Sequence, residues 1–126
     1  MKIVTLIARI LLGFTFLVFG LNGFLNFIPQ PPMPDSPATQ FAGVLIASHY
    51  MLFISAVEVV CAILFLVNRY VPLALTLLGP ILVNILLFHL FLQPPTILPG
   101  IVATLCWFLV FASHRAAFTG IFQARS

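Results

Sequence analysis

Long apolar runs make up nearly all of this chain. Residues 3–28, 50–67, 72–92 and 99–118 each form such a run, and a helix needs about 20 residues to cross the hydrocarbon layer of a membrane. Four crossings account for most of the 126 residues. A segment in lipid must satisfy its backbone amides internally, so the runs are expected to be helices. A membrane barrel would need polar–apolar alternation, which the continuous stretches 81–83 and 85–88 lack. The predicted fold is all-α: one transmembrane domain, residues 1–126, built as a four-helix bundle.

The charge count supports this. A soluble domain carries charge on roughly a quarter of its residues, whereas here 6% are charged and 63% hydrophobic. Lys2, Arg9, Arg69, Arg115 and Arg125 stand against Asp35 and Glu58. So few charges cannot coat a water-soluble globule. An ordinary soluble enzyme and a polar disordered chain are excluded. The sequence pI is about 9.4, but scattered cations make no nucleic-acid footprint, so nucleic acid is not an expected partner. Membrane lipids are.

The cations also give an orientation. Lys2 precedes the first run, Arg69 lies between the second and third, and Arg115 and Arg125 lie at and beyond the end of the fourth. An even number of crossings puts all of these on one side, opposite Asp35 and the uncharged 93–99 turn. The positive-inside bias predicts both termini in the cytoplasm. The first run reads as a membrane helix, not a cleaved signal peptide: Pro29-Gln30-Pro31-Pro32 follows it, with no small-residue cleavage site.

The outer connections hold Pro29, Pro31, Pro32, Pro34 and Pro37, then Pro94, Pro95 and Pro99. Proline lacks an amide donor, so these are expected to be extended or turning segments. The short 68–71 connection predicts an antiparallel hairpin, with Pro72 at the first helical position. Residues 38–67 would measure about 45 Å as one helix, longer than one crossing. Ser48-His49-Tyr50 interrupts them. The expectation is a short helix, 38–47, at or dipping into the outer interface before the span 50–67; one long tilted helix is the alternative. Pro80 should free the carbonyl of Thr76 and bend the third span.

Polar residues inside the spans carry the functional question. A carboxylate in hydrocarbon must face protein, find a partner or take up a proton. Counted from the cytoplasmic ends, Arg9 lies about 10 Å deep and Glu58 about 16 Å deep, so their long side chains are expected to converge as a buried ion pair. Such a pair serves either as a packing clamp or as part of a ligand, proton or quinone site. Arg9 can also snorkel to the headgroups and leave Glu58 neutral.

Gly13, Gly20 and Gly23 would let neighbouring backbones approach closely. Phe14, Phe16, Phe19, Phe24 and Phe27 either line a flat cavity or serve as core and lipid-facing bulk. Asn84, mid-span, has an interhelical hydrogen bond or a ligand contact as its two readings. His49 and His89 fall toward the outer face; two imidazoles without a third ligand are a weak metal, haem or proton-relay signal. His114 is expected at the headgroups. Cys61 and Cys106 lie at similar depth, as buried small residues or, less simply, as a redox dithiol. No phosphate loop, zinc-protease element or serine triad occurs.

Ala8-Arg9-Ile10-Leu11-Leu12-Gly13 with Gly20 and Asn22-Gly23, Glu58 with Ala62-Ile63-Leu64, Pro72-Leu73-Ala74-Leu75 through Pro80 and Asn84, and Phe88-His89-Leu90 together resemble the DoxX family of small four-helix bacterial membrane proteins. The resemblance covers residues 3–116. It implies a multi-pass protein of the bacterial cytoplasmic (inner) membrane. Named relatives are linked to thiosulfate:quinone oxidoreduction, or to membrane complexes that handle oxidative and thiol stress; most members have no defined reaction. The resemblance makes Arg9 and Glu58, then Asn84 and His89, the candidate polar site. Where a typical relative has a Thr-Gly-Tyr-like turn before the second span, this chain has Ser48-His49-Tyr50.

Three functions follow as expectations. The first is a redox-associated subunit binding a quinone or another small hydrophobic molecule. The second is a non-catalytic scaffold or assembly partner for another membrane protein. The third is a small proton-coupled transporter acting as a homo-oligomer. Whether the chain is itself an enzyme, and whether it holds a cofactor, the sequence leaves open.

Overall fold

The computed structural model describes residues 2–27 and 35–124. Ile28, the prolines at 29, 31, 32 and 34, and Arg125 lie outside the described residues, as do the expectations that fell on them.

Helix α1 (Lys2–Leu25) stops at Asn26, whose φ of 51° is left-handed. Asparagine tolerates that conformation better than most residues, which suits it to end a helix. Helix α2 (Pro37–Ala47) opens with a capping box. The Ser36 hydroxyl accepts from the Thr39 amide, and the Thr39 hydroxyl accepts from the Ser36 amide. Pro37 sits in the first turn, where no amide donor is needed.

Helix α3 (Tyr50–Val67) begins after His49, whose φ of 64° breaks the chain direction. Residues 38–67 are therefore two helices, not one long tilted one. Helix α3 ends in a Schellman motif on left-handed Asn68. The Asn68 amide donates to Phe65 O at 3.3 Å and the Arg69 amide to Leu64 O at 3.1 Å. Helix α4 (Val71–Phe91) starts one residue before Pro72 and contains Pro80 without ending there. A 3₁₀ turn (Pro94–Thr96) leads to helix α5 (Leu98–His114), which continues as a 3₁₀ stretch (Arg115–Phe122). That stretch turns Phe118 back into the core, its ring 5.0 Å from Phe111.

Among the described residues, four helical segments are long and apolar enough to cross a membrane: Lys2–Leu25, Tyr50–Val67, Val71–Phe91 and Leu98–Ile121. They close a ring, α1 against α3 and α5, and α4 against α3 and α5. Gly13 of α1 meets Ala62 and Leu66 of α3, while Gly20 meets Ser55 and Val59. Rising number on one helix matches falling number on the other, so the two are antiparallel. The start of α1, the 68–71 turn and the end of α5 share one end, called basal here. Helix α2 and the 93–97 connection lie at the other, distal end. Helix α2 packs beside α3 and touches α4 through Phe41 and Phe88, whose rings are 5.7 Å apart.

Lipid tails are as apolar as leucine, so the helices are held by close packing and interhelical hydrogen bonds, not by expulsion of water. The closest approach is α1 on α3. A Cβ on Gly20 would stand 2.8 Å from Val59 Cγ2 and 3.1 Å from the Ser55 carbonyl oxygen. Helices α4 and α5 are joined by Trp107, whose indole N–H donates to Leu75 O at 3.0 Å and whose ring stacks on Phe111. The core of Leu12, Cys61, Phe65, Leu75, Leu78 and Val110 sits toward the basal half. Along α4 the buried residues stop at Leu82.

Candidate functional site

Helical periodicity gives α3 two faces. Ser55, Val59, Ala62 and Leu66 face α1, while Glu58, Cys61 and Phe65 recur at spacings of three and four on the inner side. Glu58 is only 8% exposed. Among the described residues, no hydrogen bond or ion pair reaches its carboxylate. What it faces is space.

That space is divided into two cavities. The larger, about 630 Å³, lies between α2, α3 and α4 and is lined by Phe41, Tyr50, Glu58, Pro80, Asn84 and Phe88 among others. Its rim residues Phe41, Tyr50, Phe53 and Phe91 are exposed, so it opens sideways, toward lipid in a membrane. The smaller, about 350 Å³, lies among α1, α3, α4 and α5 and includes Thr15, Phe16, Phe19, Glu58, His89 and Thr96. Glu58 and Ile85 are common to both linings. The larger has the volume of a small-molecule site, and its few polar groups in apolar walls are the usual composition of one.

The expected Arg9–Glu58 ion pair is not formed. The Arg9 guanidinium donates through Nη1 to Phe65 O and, at 3.4 Å, to Leu66 O. Phe65 is about 10 Å further along α3 than Glu58. The cause is the helix end: the last carbonyls of α3 have no amide partner within the helix, Phe65 O takes only the long 3.3 Å bond from the Asn68 amide in the turn, and a cation at a helix C-terminus complements such carbonyls and the helix dipole. Arg9 is thus a bridge from α1 to the basal end of α3. It lines neither of the Glu58 cavities.

Asn84 lies across the larger cavity from Glu58 and is exposed. Its amide donates to Pro80 O, one turn back, at 2.9 Å, and not across helices. His89 lines the smaller cavity, with Nδ1 2.8 Å from Ile85 O. His49 is exposed at the α2–α3 junction and is not among the residues lining these cavities. Among the described residues, no three His, Cys, Asp or Glu side chains are grouped to hold a metal. His114 turns its Nδ1 to Val110 O and the Ser113 hydroxyl. Cys61 and Cys106 are both buried, free thiols in the one core.

Of the five α1 phenylalanines, Phe16 and Phe19 line the smaller cavity, and Phe14, Phe24 and Phe27 are exposed. The aromatic walls of the larger cavity come from elsewhere: Phe41, Tyr50, Phe88 and Phe91. Sequence reasoning passed over these and Thr15. The available signal was register: Pro80, Asn84, Leu87 or Phe88, and Phe91 recur at helical spacing on α4.

The family model described as DoxX matches residues 4–90, that is, α1 through nearly the whole of α4. No curated protein and no solved structure matches the chain.

Proposed function

The chain belongs to the DoxX family, and from that premise we propose that this multi-pass membrane protein binds a small hydrophobic molecule with a compact polar head, a quinone or a molecule of similar form, beside Glu58. It acts as a membrane subunit associated with a redox reaction whose electron-transfer partner is a separate protein. The basal end lies in the cytoplasm of a bacterial cell, because Lys2, Arg69 and Arg115 share that end while Asp35 and the uncharged 93–99 turn share the other. Helix α2 lies at the outer interface of the inner membrane and roofs the larger cavity.

One observation carries the reading. Among the described residues, an acid without a hydrogen-bond or ion-pair partner stands at the wall of an apolar cavity that opens sideways. A polar head reaching Glu58 and Asn84 would satisfy both, while Phe41, Tyr50 and Phe88 would hold the apolar part. Hydrophobic molecules partition into lipid first, so side access suits them. Gly13, Gly20 and Gly23 are covered by α3, so these small residues serve packing between the two helices.

Native mass spectrometry of the protein in nanodiscs made from its own membrane is expected to show a retained small hydrophobic molecule. Titration with decylubiquinone then tests the site. A hydrogen bond to a charged group is worth about 1.5–3 kcal/mol, so Glu58→Gln should weaken binding at least about tenfold with helix content unchanged. Equal binding by the variant would overturn the assignment of the site to Glu58.

A further inference from the structure

The larger cavity brings a ligand to Glu58 but leaves the smaller one without a use. Its polar groups are distinctive. Thr76 and Thr104 return their hydroxyls to carbonyls of their own helices, at 2.9 and 2.7 Å. Thr15, partly buried, makes no hydrogen bond among the described residues, and it lines the smaller cavity with Glu58. His89 lines it further toward the distal end. The Ile85 carbonyl can only accept, so Nδ1 carries the proton in that contact and Nε2 of the neutral ring is left as an acceptor. Thr96, in the distal connection, completes the polar lining. Thr15, Glu58, His89 and Thr96 stand among apolar walls that include Phe16, Phe19, Leu82 and Ile85, and four such groups can give bridging waters the partners they need. At about 30 Å³ per water, the 350 Å³ here has room for roughly ten.

We propose that the smaller cavity is a water-filled proton path from the distal face to Glu58, with Thr15 and His89 as its relay groups. Proton and ligand then reach one carboxyl from two sides. One proton leaves distal water and is taken on His89 Nε2. It is returned from Nε2 to a cavity water held by Thr15, and that water passes a proton to the Glu58 carboxylate. The carboxylate becomes a neutral acid, and release runs the same steps backwards. The Nδ1 proton stays on Nδ1, donated to the Ile85 carbonyl throughout, and no electron moves. The other titratable groups on the surrounding elements are Lys2 and Arg9 on α1, Tyr50 and Cys61 on α3, His89 on α4, and Cys106 and His114 on α5, with Lys2 and His114 at the basal end. Arg9 is bound to the basal carbonyls, and Tyr50 lines only the larger of the two cavities. His89 is the one of these that shares the smaller cavity with Glu58.

The use of this path rests on Glu58 as the ligand-facing acid, but the path itself is measurable without ligand. Infrared spectra of ligand-free protein in nanodiscs, switched from H2O to D2O, follow the isotope shift of the carboxylic C=O band that Glu58→Gln removes. His89→Phe and Thr15→Val are expected to slow that exchange at least tenfold. Thr15→Ser should restore the wild-type rate, and Thr104→Val, outside both linings, should leave it unchanged. The rescue by serine separates relay from packing. Wild-type rates in both His89→Phe and Thr15→Val, or the lack of any exchanging Glu58 band, would overturn the path. Slowed exchange in a protein that binds no quinone would keep the path and discard the ligand reading.

Discussion

Helix α3 has two interfaces of opposite character. Toward α1, Gly13, Gly20 and Gly23 bring the backbones together along the whole length, and no side chain could be added at these positions without displacing an atom of α3. Toward α4 the packing is tight only in the basal half, at Phe65, Ala74, Leu75 and Leu78. From Pro80 onward the helices leave a cavity of about 630 Å³. One interface fixes the height and rotation of α3; the other leaves Glu58 room for an occupant. Close packing on one side and space on the other is what a membrane site needs, since an acid on a loosely held helix would turn toward another partner.

The largest effect should come from filling the tight side. Gly20→Leu puts carbon within 3.1 Å of backbone as well as of Val59. It should cost about 3 kcal/mol, the upper part of the usual range for overpacking, read as unfolding in mixed micelles followed by circular dichroism. A cost near zero would mean that the α1–α3 interface is no tighter than the other.

Arg9→Met comes next. It removes the donor to Phe65 O and Leu66 O and should cost about 2 kcal/mol in the same assay, the worth of a charge-assisted hydrogen bond. Combined with Glu58→Gln, the two losses should add to within about 0.5 kcal/mol. Larger coupling would restore the ion pair between them.

The smallest effect belongs to the open side. Asn84→Leu removes a bond made only within its own helix and should change stability by less than about 0.5 kcal/mol. Affinity for decylubiquinone, by contrast, should fall severalfold. Loss of stability with unchanged affinity would turn Asn84 into a packing residue and weaken the contrast between the two faces.

Much of the architecture was legible because lipid imposes it locally. Runs of about 20 apolar residues must be helical, and Pro37, His49 and Asn68 mark boundaries through their own backbone preferences. Glu58 was visible for the same reason: a lone carboxylate among Val57, Val59 and Val60 needs an explanation wherever the helices pack. Its surroundings were not visible. Depth along a helix suggested that Arg9 and Glu58 would meet, but depth says nothing about rotation, nor about the carbonyls at the end of α3, which still have acceptor capacity and compete for a guanidinium. The α1 phenylalanines drew attention through their number, whereas the aromatic walls of the larger cavity come from α2, α3 and α4, which only packing brings together.

The sequence by itself determined four long apolar helices, the family and the one acid worth asking about, and it favoured a short helix before α3. Each follows from composition, spacing or local backbone preference, which neighbours in the chain decide. Tertiary structure alone decided that Arg9 closes a helix end and that Glu58 stands between two cavities. The reason is physical. Which side chain a buried charge meets depends on the rotation and separation of packed helices, and these are set by contacts such as Gly20 on Val59, between residues far apart in sequence.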